Sequence, residues 1–159
     1  MKTLNKLIEE YTQQLRLGEI QIAYSGILAF IGKLRTAFIK KYPHYDVSNI
    51  YQGYLDMSYF SFSTKPLKDN GLKIAIVYLH EKESFEVWLS ARNRDIARTH
   101  QSILDSLSAE KNVFHDSNNQ DAIAECVLTC TPDFEDPALL INCIDQGVEK
   151  FVVAIINRI

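Results

Sequence analysis

Between residues 54 and 92 the chain sets a small group of chemistry-bearing side chains into strand-forming sequence: Tyr54, Asp56, Glu86, Trp88 (the only tryptophan) and Arg92. Arginine pairs with anionic groups, a carboxylate orients such a group or accepts a hydrogen bond, and tyrosine and tryptophan stack on planar surfaces. A strand shows alternate side chains on one face, so groups spaced in this way can converge. YLDMSYFSFS, LKIAIVYL and FEVWLSAR read as three consecutive strands. On that reading Tyr54, Asp56, Ser58, Phe60 and Phe62 share one parity of the first strand, and Glu86, Trp88, Ser90 and Arg92 share one parity of the third. Lys73, Ala75, Val77 and Leu79 of the middle strand then lie between them as a floor of smaller residues. An aromatic wall with a few convergent polar groups is the composition of a binding pocket.

The expected ligand-binding residues are therefore Tyr54, Asp56, Trp88 and Arg92, with Arg35 of the preceding helix and Tyr51 of the 42–51 loop at the rim. The helix carrying Arg35 is expected to cover them. The competing expectation is structural: Asp56 and Arg92 form an ion pair across the sheet, and Trp88 packs under a helix. Register decides between the two, because a slip of one residue sends every side chain of a strand to the other face.

Other chemistries are thinly represented. An enzyme would rest on Asp56, Glu86 or His80, with His80 and Glu86 as an acid–base pair. His100 lies on an apolar stripe and reads as a satisfied core residue, and His44 sits among Tyr42, Tyr45 and Tyr51. The fragment Tyr24-Ser25-Gly26 falls inside a helix rather than on a strand-to-helix elbow. The six glycines are scattered singly, so no loop is built to cradle phosphate. Cys126, Cys130 and Cys143 form no C-x-x-C pair and have no histidine at zinc-finger spacing; they read as buried free thiols. No catalytic residue, metal or cofactor is indicated.

These groups need elements to hold them. Leu4, Leu7, Ile8, Tyr11 and Leu15 make the stripe of a helix over about 3–17, which Gly18 interrupts. A second helix over about 19–41 carries Ile20, Tyr24, Ile27, Ile31, Leu34 and Phe38, and Pro43 closes it. The first strand is expected over about 53–63, the second over 72–80 after the turn signal Asn70-Gly71, and the third over 84–92. Strand two is nearly all apolar, as suits a central position covered on both faces. Asn93 caps a third helix over about 94–108 with Ile96, His100, Ile103, Leu104 and Leu107 on its stripe. A short strand near 112–114 and another over 122–130 follow, and Asp136-Pro137 opens the last helix. The expectation is one α+β domain over 1–159: a three-stranded antiparallel meander, one or two further short strands, and four helices.

Composition fits that picture. A chain of 159 residues with 47% hydrophobic and 23% charged content buries about 70% of its unfolded surface and is neither disordered nor membrane-like in bulk. No apolar run approaches transmembrane length, and MKTLNKLIEEYTQQL carries charges throughout, which argues against a signal peptide and for the cytoplasm. A net charge of −3 gives no general attraction for phosphate backbones, so nucleic acid is disfavoured; Lys33, Arg35, Lys40, Lys41 and Arg92, Arg94, Arg98 read as solvated faces.

The run from Gly53 to Arg94 resembles the central block of a family of small bacterial and archaeal proteins described as a domain of unknown function. The motifs are Tyr54-Leu55-Asp56-Met57, Phe85-Glu86-Val87-Trp88-Leu89 and Arg92-Asn93-Arg94. KTLNKLIEEY, LRTAFIKKYP and TPDFEDPALLINCIDQGVEKF extend the likeness over nearly the whole chain. The resemblance implies a compact one-domain protein and no particular chemistry. The expected function is small-ligand or peptide binding in an aromatic–polar pocket on the meander. The alternatives are a homodimeric interaction module, paired through the apolar C-terminal FVVAIINRI or a sheet edge, and an enzyme using Asp56, Glu86 or His80.

Overall fold

The computed structural model describes residues 1–107, 110, 113–116 and 118–159. Asn112, expected to start a short strand, Ser117 of the following loop, and the Leu104 side chain lie outside what is described. The frame is an antiparallel sheet whose described strands are β1 (Asp46–Val47), β2 (Met57–Ser63), β3 (Leu72–Leu79), β4 (Ser84–Ala91), β5 (Val113–Phe114) and β6 (Ala124–Thr129). Their spatial order is β1-β2-β3-β4-β6-β5. The meander β2-β3-β4 forms as expected, and LKIAIVYL is its middle strand.

Six described helical segments accompany the sheet: α1 (Leu4–Leu17), α2 (Glu19–Lys41), α3 (Lys65–Asp69), α4 (Arg94–Thr99), α5 (Gln101–Leu107) and α6 (Pro137–Ile156). The fold is thus α+β, with two more helical segments than expected. One is α3, which has Pro66 in its first turn, where the missing N–H costs nothing. The other arises because the segment after Asn93 breaks at His100, whose ring nitrogen Nε2 lies 3.2 Å from the Asn70 carbonyl. The capping expectations hold: the Asn93 side chain accepts from the Ile96 N–H, and the Asp136 side chain from the Leu139 N–H.

Helices α2 and α6 lie on one face of the sheet. Phe30, Ile31, Leu34 and Phe38 of α2 and Leu140, Ile144, Val148, Phe151 and Ile155 of α6 are buried with Phe60, Phe62, Ile74, Ile76, Phe85, Val87 and Leu89 of the strands. Each of these side chains contributes about 1.5–3 kcal/mol by leaving water, so this layer holds the fold. FVVAIINRI, the apolar C-terminus, is therefore largely spent on the sheet: Phe151, Val152 and Ile155 are buried. Where α2 ends, Lys41 and Tyr42 both bond the Asp145 carboxylate of α6, the Tyr42 hydroxyl at 2.7 Å. One sequence reading needs correcting here, since α2 is long and apolar enough by length and composition to cross a membrane.

Candidate functional site

The cross-strand register fixes which side chains share a face. Tyr59 pairs with Val77 and Val77 with Glu86; Ser61 pairs with Ala75 and Ala75 with Trp88. The open face, away from α2 and α6, therefore carries Met57, Tyr59 and Ser61 of β2 beside Trp88 and Ser90 of β4. Ser58, Phe60 and Phe62 turn to the helices. This reverses the expected parity of the first strand. The physical reason is that Phe60 and Phe62 are almost wholly buried under the helices, worth about 3–6 kcal/mol together, and the polar members of the strand follow from that choice.

On the open face the sheet and two loops enclose a trough of about 540 Å³, within the size range of small-molecule sites. Ala75, Val77 and Trp88 form its floor, and Tyr51, Met57 and Tyr59 close one end. Lys73, Ser90, Arg92 and Arg94 stand at the other end, and residues 120–123 make a wall. That wall is pinned by hydrogen bonds: the Ser90 hydroxyl donates to the Asp121 carbonyl at 2.6 Å, and the Ile123 N–H to the Leu89 carbonyl at 2.7 Å. Tyr51 is set by an isolated bridge to Tyr59, with reciprocal backbone bonds of 2.7 and 2.9 Å and rings 5.0 Å apart.

Trp88 is oriented by its neighbour on the same face of β4. Its indole N–H donates to Glu86 Oε1 at 3.0 Å, and Glu86 is itself buried. One strand over, the buried Glu125 accepts from Asn119 Nδ2 at 2.8 Å and from the Asp116 N–H at 3.2 Å, with His115 Nδ1 at 3.5 Å. Burial pushes the Glu125 carboxyl up; the hydrogen bonds from Asn119 and Asp116 and the His115 charge oppose that, and the Glu86 charge adds to it. These acids share the face of Trp88, brace the loop and the tryptophan from the side, and do not line the trough. What lines it is three cations, Lys73, Arg92 and Arg94, against one carboxylate, Asp121. Arg94 reaches Gln120 Oε1 at 3.3 Å, whereas the side chains of Lys73 and Arg92 bond to none of the described residues.

Of the residues expected from sequence, Tyr51, Trp88 and Arg92 come together in the trough, and Tyr54, Asp56 and Arg35 do not. Asp56 belongs to a turn before β2. Its carboxylate accepts the Tyr54 N–H at 2.9 Å, its carbonyl accepts the His80 N–H at 3.0 Å, and backbone N–H groups hold its pKa below the usual carboxylate value. Arg92 follows β4 at the opposite end of the strands, its N–H bonded to the Gly71 carbonyl at 2.8 Å. Asp56 lies level with His80 and Arg92 level with Gly71, so they stand about nine residues, roughly 30 Å, apart along the sheet, and the expected ion pair does not form. Tyr54 is 87% exposed. Arg35 donates to the Ser48 carbonyl at 2.7 Å on the helix side, and α2 covers the face opposite the trough.

The enzymatic grouping assembles only in part: Asp56 and His80 are neighbours, and Glu86 is not with them. His80 lies on the helix side, stacked on Tyr24 at 5.5 Å, with Nε2 2.8 Å from Ser58 Oγ. A serine beside a histidine invites a nucleophile reading. The Ser58 hydroxyl, however, gives its one proton to the Gln52 carbonyl, so the imidazole must be the donor toward Ser58. Burial lowers the His80 pKa, the Asp56 charge opposing, and Glu86 sits on the other face. The three cysteines are free, but only Cys126 is partly buried; Cys130 and Cys143 are exposed, a correction to the expected buried thiols. Among the described residues no group of three or more His, Cys, Asp or Glu is placed to hold a metal ion.

Sequence reasoning missed Tyr59, Arg94 and the 120–123 wall as parts of the site. Lys73 carried a legible signal as the only charge in LKIAIVYL; the wall carried none, because its position depends on a long-range pairing of β6 with β4. Comparison with curated proteins and with solved structures finds no match for the chain. The model of a family described as a domain of unknown function, DUF7000, matches residues 4–159, and the chain belongs to that family.

Proposed function

We propose that this protein binds a small anionic molecule with a planar part in the trough on the open face of its sheet. One observation carries the reading: three cations converge on an aromatic floor in a chain whose net charge is −3, and two of them are left without a partner among the described residues. Arg92 and Lys73 engage the anionic group, and Arg94 extends the cationic end. Trp88 stacks on the planar part, and Tyr51 and Tyr59 close the far end. Peptide binding fits less well, because the trough is closed by the tyrosines at one end and by the 120–123 wall along its side.

Magnitudes decide what holds the ligand. Hydrogen bonds to charged groups contribute about 1.5–3 kcal/mol each, but Arg92, Arg94 and Lys73 are exposed at the rim, where screening reduces ion pairs to about 0–1 kcal/mol. A bidentate arginine pair is the exception, so Arg92 carries the larger part of affinity. Trp88, only 7% exposed, adds a stacking contact, and the cations together set a steep salt dependence. The same reading takes the cytoplasm as the compartment, where exposed thiols such as Cys130 and Cys143 stay reduced.

The test is native mass spectrometry of freshly purified protein beside the same sample denatured, followed by a screen of small anions. A small mass lost on denaturation, absent from the Arg92→Met protein, supports the proposal. A mass retained by Arg92→Met, or a bare chain that no anion in the screen stabilises, contradicts it.

A further inference from the structure

α1 is the odd member of the fold, because it buries none of its 14 residues and lies against α2 alone among the larger packing contacts. Leu4, Leu7, Ile8 and Tyr11 stay 71%, 49%, 50% and 59% exposed, and Leu17 and Ile20 continue the apolar surface around Gly18. A helix of this length is marginal in water unless an apolar face is packed. The area tells the same story. The chain exposes 10004 Å², whereas a folded monomer of its 18.2 kDa exposes about 8100 Å². The excess of about 1900 Å² is more than one partner contributes to a stable interface, since a homodimer hiding about 1000 Å² per copy already reaches the size of permanent ones.

The stripe is also complementary to itself. Leu4, Ile8, Tyr11 and Leu15 follow the alternating spacing of a coiled-coil seam, and they are symmetric about the bond between Glu9 and Glu10: Leu4 mirrors Leu15, and Ile8 mirrors Tyr11. An antiparallel copy therefore meets the same pattern in reverse, as a two-fold axis requires. The flanking positions Asn5, Leu7, Thr12 and Gln14 carry no charge. Lys6 and Glu9 pair with each other on the outer face, as do Lys2 and Glu10, so no like charges oppose across the seam. A lipid surface is the poorer occupant: Lys2, Lys6 and Arg16 are balanced by Glu9, Glu10 and Glu19, which leaves no basic excess for anionic headgroups.

We infer that two copies of this chain associate through α1, stripe against stripe and antiparallel, with the first turn of α2 completing the contact. Light scattering coupled to size exclusion, over a wide concentration range, should give twice the 18.2 kDa mass for the wild type. The Ile8→Glu/Tyr11→Glu protein should give the single mass with unchanged Trp88 fluorescence, and Lys6→Glu on the outer face should remain dimeric. A wild type that is monomeric throughout overturns the inference, as does a dimer that survives the double substitution. Should the double variant lose its fold, disulfide trapping decides in a background with Cys130 and Cys143 replaced by serine. Ile8→Cys mixed with Tyr11→Cys must cross-link more readily than Ile8→Cys alone, and the reverse preference rejects the antiparallel pairing. A monomer that instead floats with phosphatidylethanolamine–phosphatidylglycerol vesicles rejects it in favour of a lipid surface.

Discussion

Replacing Gly53 with alanine tests whether the Tyr54-Leu55-Asp56-Met57 motif is a structural turn. Gly53 has φ +79°, and a Cβ added there would stand 1.8 Å from the Met57 carbonyl oxygen, a backbone atom that cannot rotate away. The left-handed conformation alone costs an alanine about 1–2 kcal/mol. Moving the Met57 carbonyl by more than about 1 Å also disturbs the Tyr54 N–H to Asp56 carboxylate bond and the His80 N–H to Asp56 carbonyl bond, worth about 1 kcal/mol each. The sum, about 3–4 kcal/mol, is a large share of the roughly 5–15 kcal/mol that holds a domain of this size. It corresponds to a fall in Tm of roughly 6–16 °C. Urea unfolding followed by Trp88 fluorescence and far-ultraviolet circular dichroism reads it as a lowered midpoint at unchanged slope. Gly26→Ala is the internal contrast: it lies inside α2 with open space around its Cβ, and it should gain about 0.5–1 kcal/mol. A Gly53→Ala midpoint equal to wild type would refute the turn assignment.

Asp145→Asn should destabilise by about 1.5–3 kcal/mol, because Tyr42 loses a charged acceptor at 2.7 Å. The Tyr42 hydroxyl, pushed up to about 12 by burial first and by Asp145 second, should titrate lower in that variant by carbon-13 NMR, and an unmoved titration would disprove the contact. His80 gives a pH dependence. Its folded pKa lies below the ordinary value, so the unfolded chain takes up the proton first, and stability is complete above about pH 6.5 and declines as pH falls through that window. His80→Gln should flatten the change in urea midpoint between about pH 7.5 and about pH 5.5; an identical slope in the variant would exclude His80 as its source. Arg92→Met should leave the urea midpoint within about 0.5 kcal/mol of wild type, since its side chain bonds to none of the described residues; a larger loss would make the residue structural.

The scaffold was legible where local rules agree. The α1 and α2 stripes, the Asn93 and Asp136-Pro137 caps and the unbroken apolar run of β3 each point to one local answer, and the structure follows them. The site was legible only in part. Trp88 and Arg92 line the open face, as the alternation of β4 predicts, because that strand has a single clean pattern, with Phe85, Val87 and Leu89 inward. β2 offers two plausible alternations, Met57-Tyr59-Ser61 and Ser58-Phe60-Phe62, and sequence does not rank them until the helices claim the phenylalanines. Asp56 was misplaced for a different reason: it looked like the start of a strand, yet Gly53 and Leu55 both adopt positive φ and make it part of a turn. The wall at residues 120–123 depends on the β4–β6 pairing, which joins segments more than thirty residues apart.

The central claim is that the open face takes an anionic planar ligand against Trp88. Because Trp88 is the only tryptophan, its intrinsic fluorescence reports on that surface and no other. Titrating the protein with small aromatic anions should quench or shift the emission in a saturable way, weaken as salt is raised, and be lost in Arg92→Met while the urea midpoint stays put. Emission that no anion changes, or a response that persists at high salt and in Arg92→Met, would contradict it.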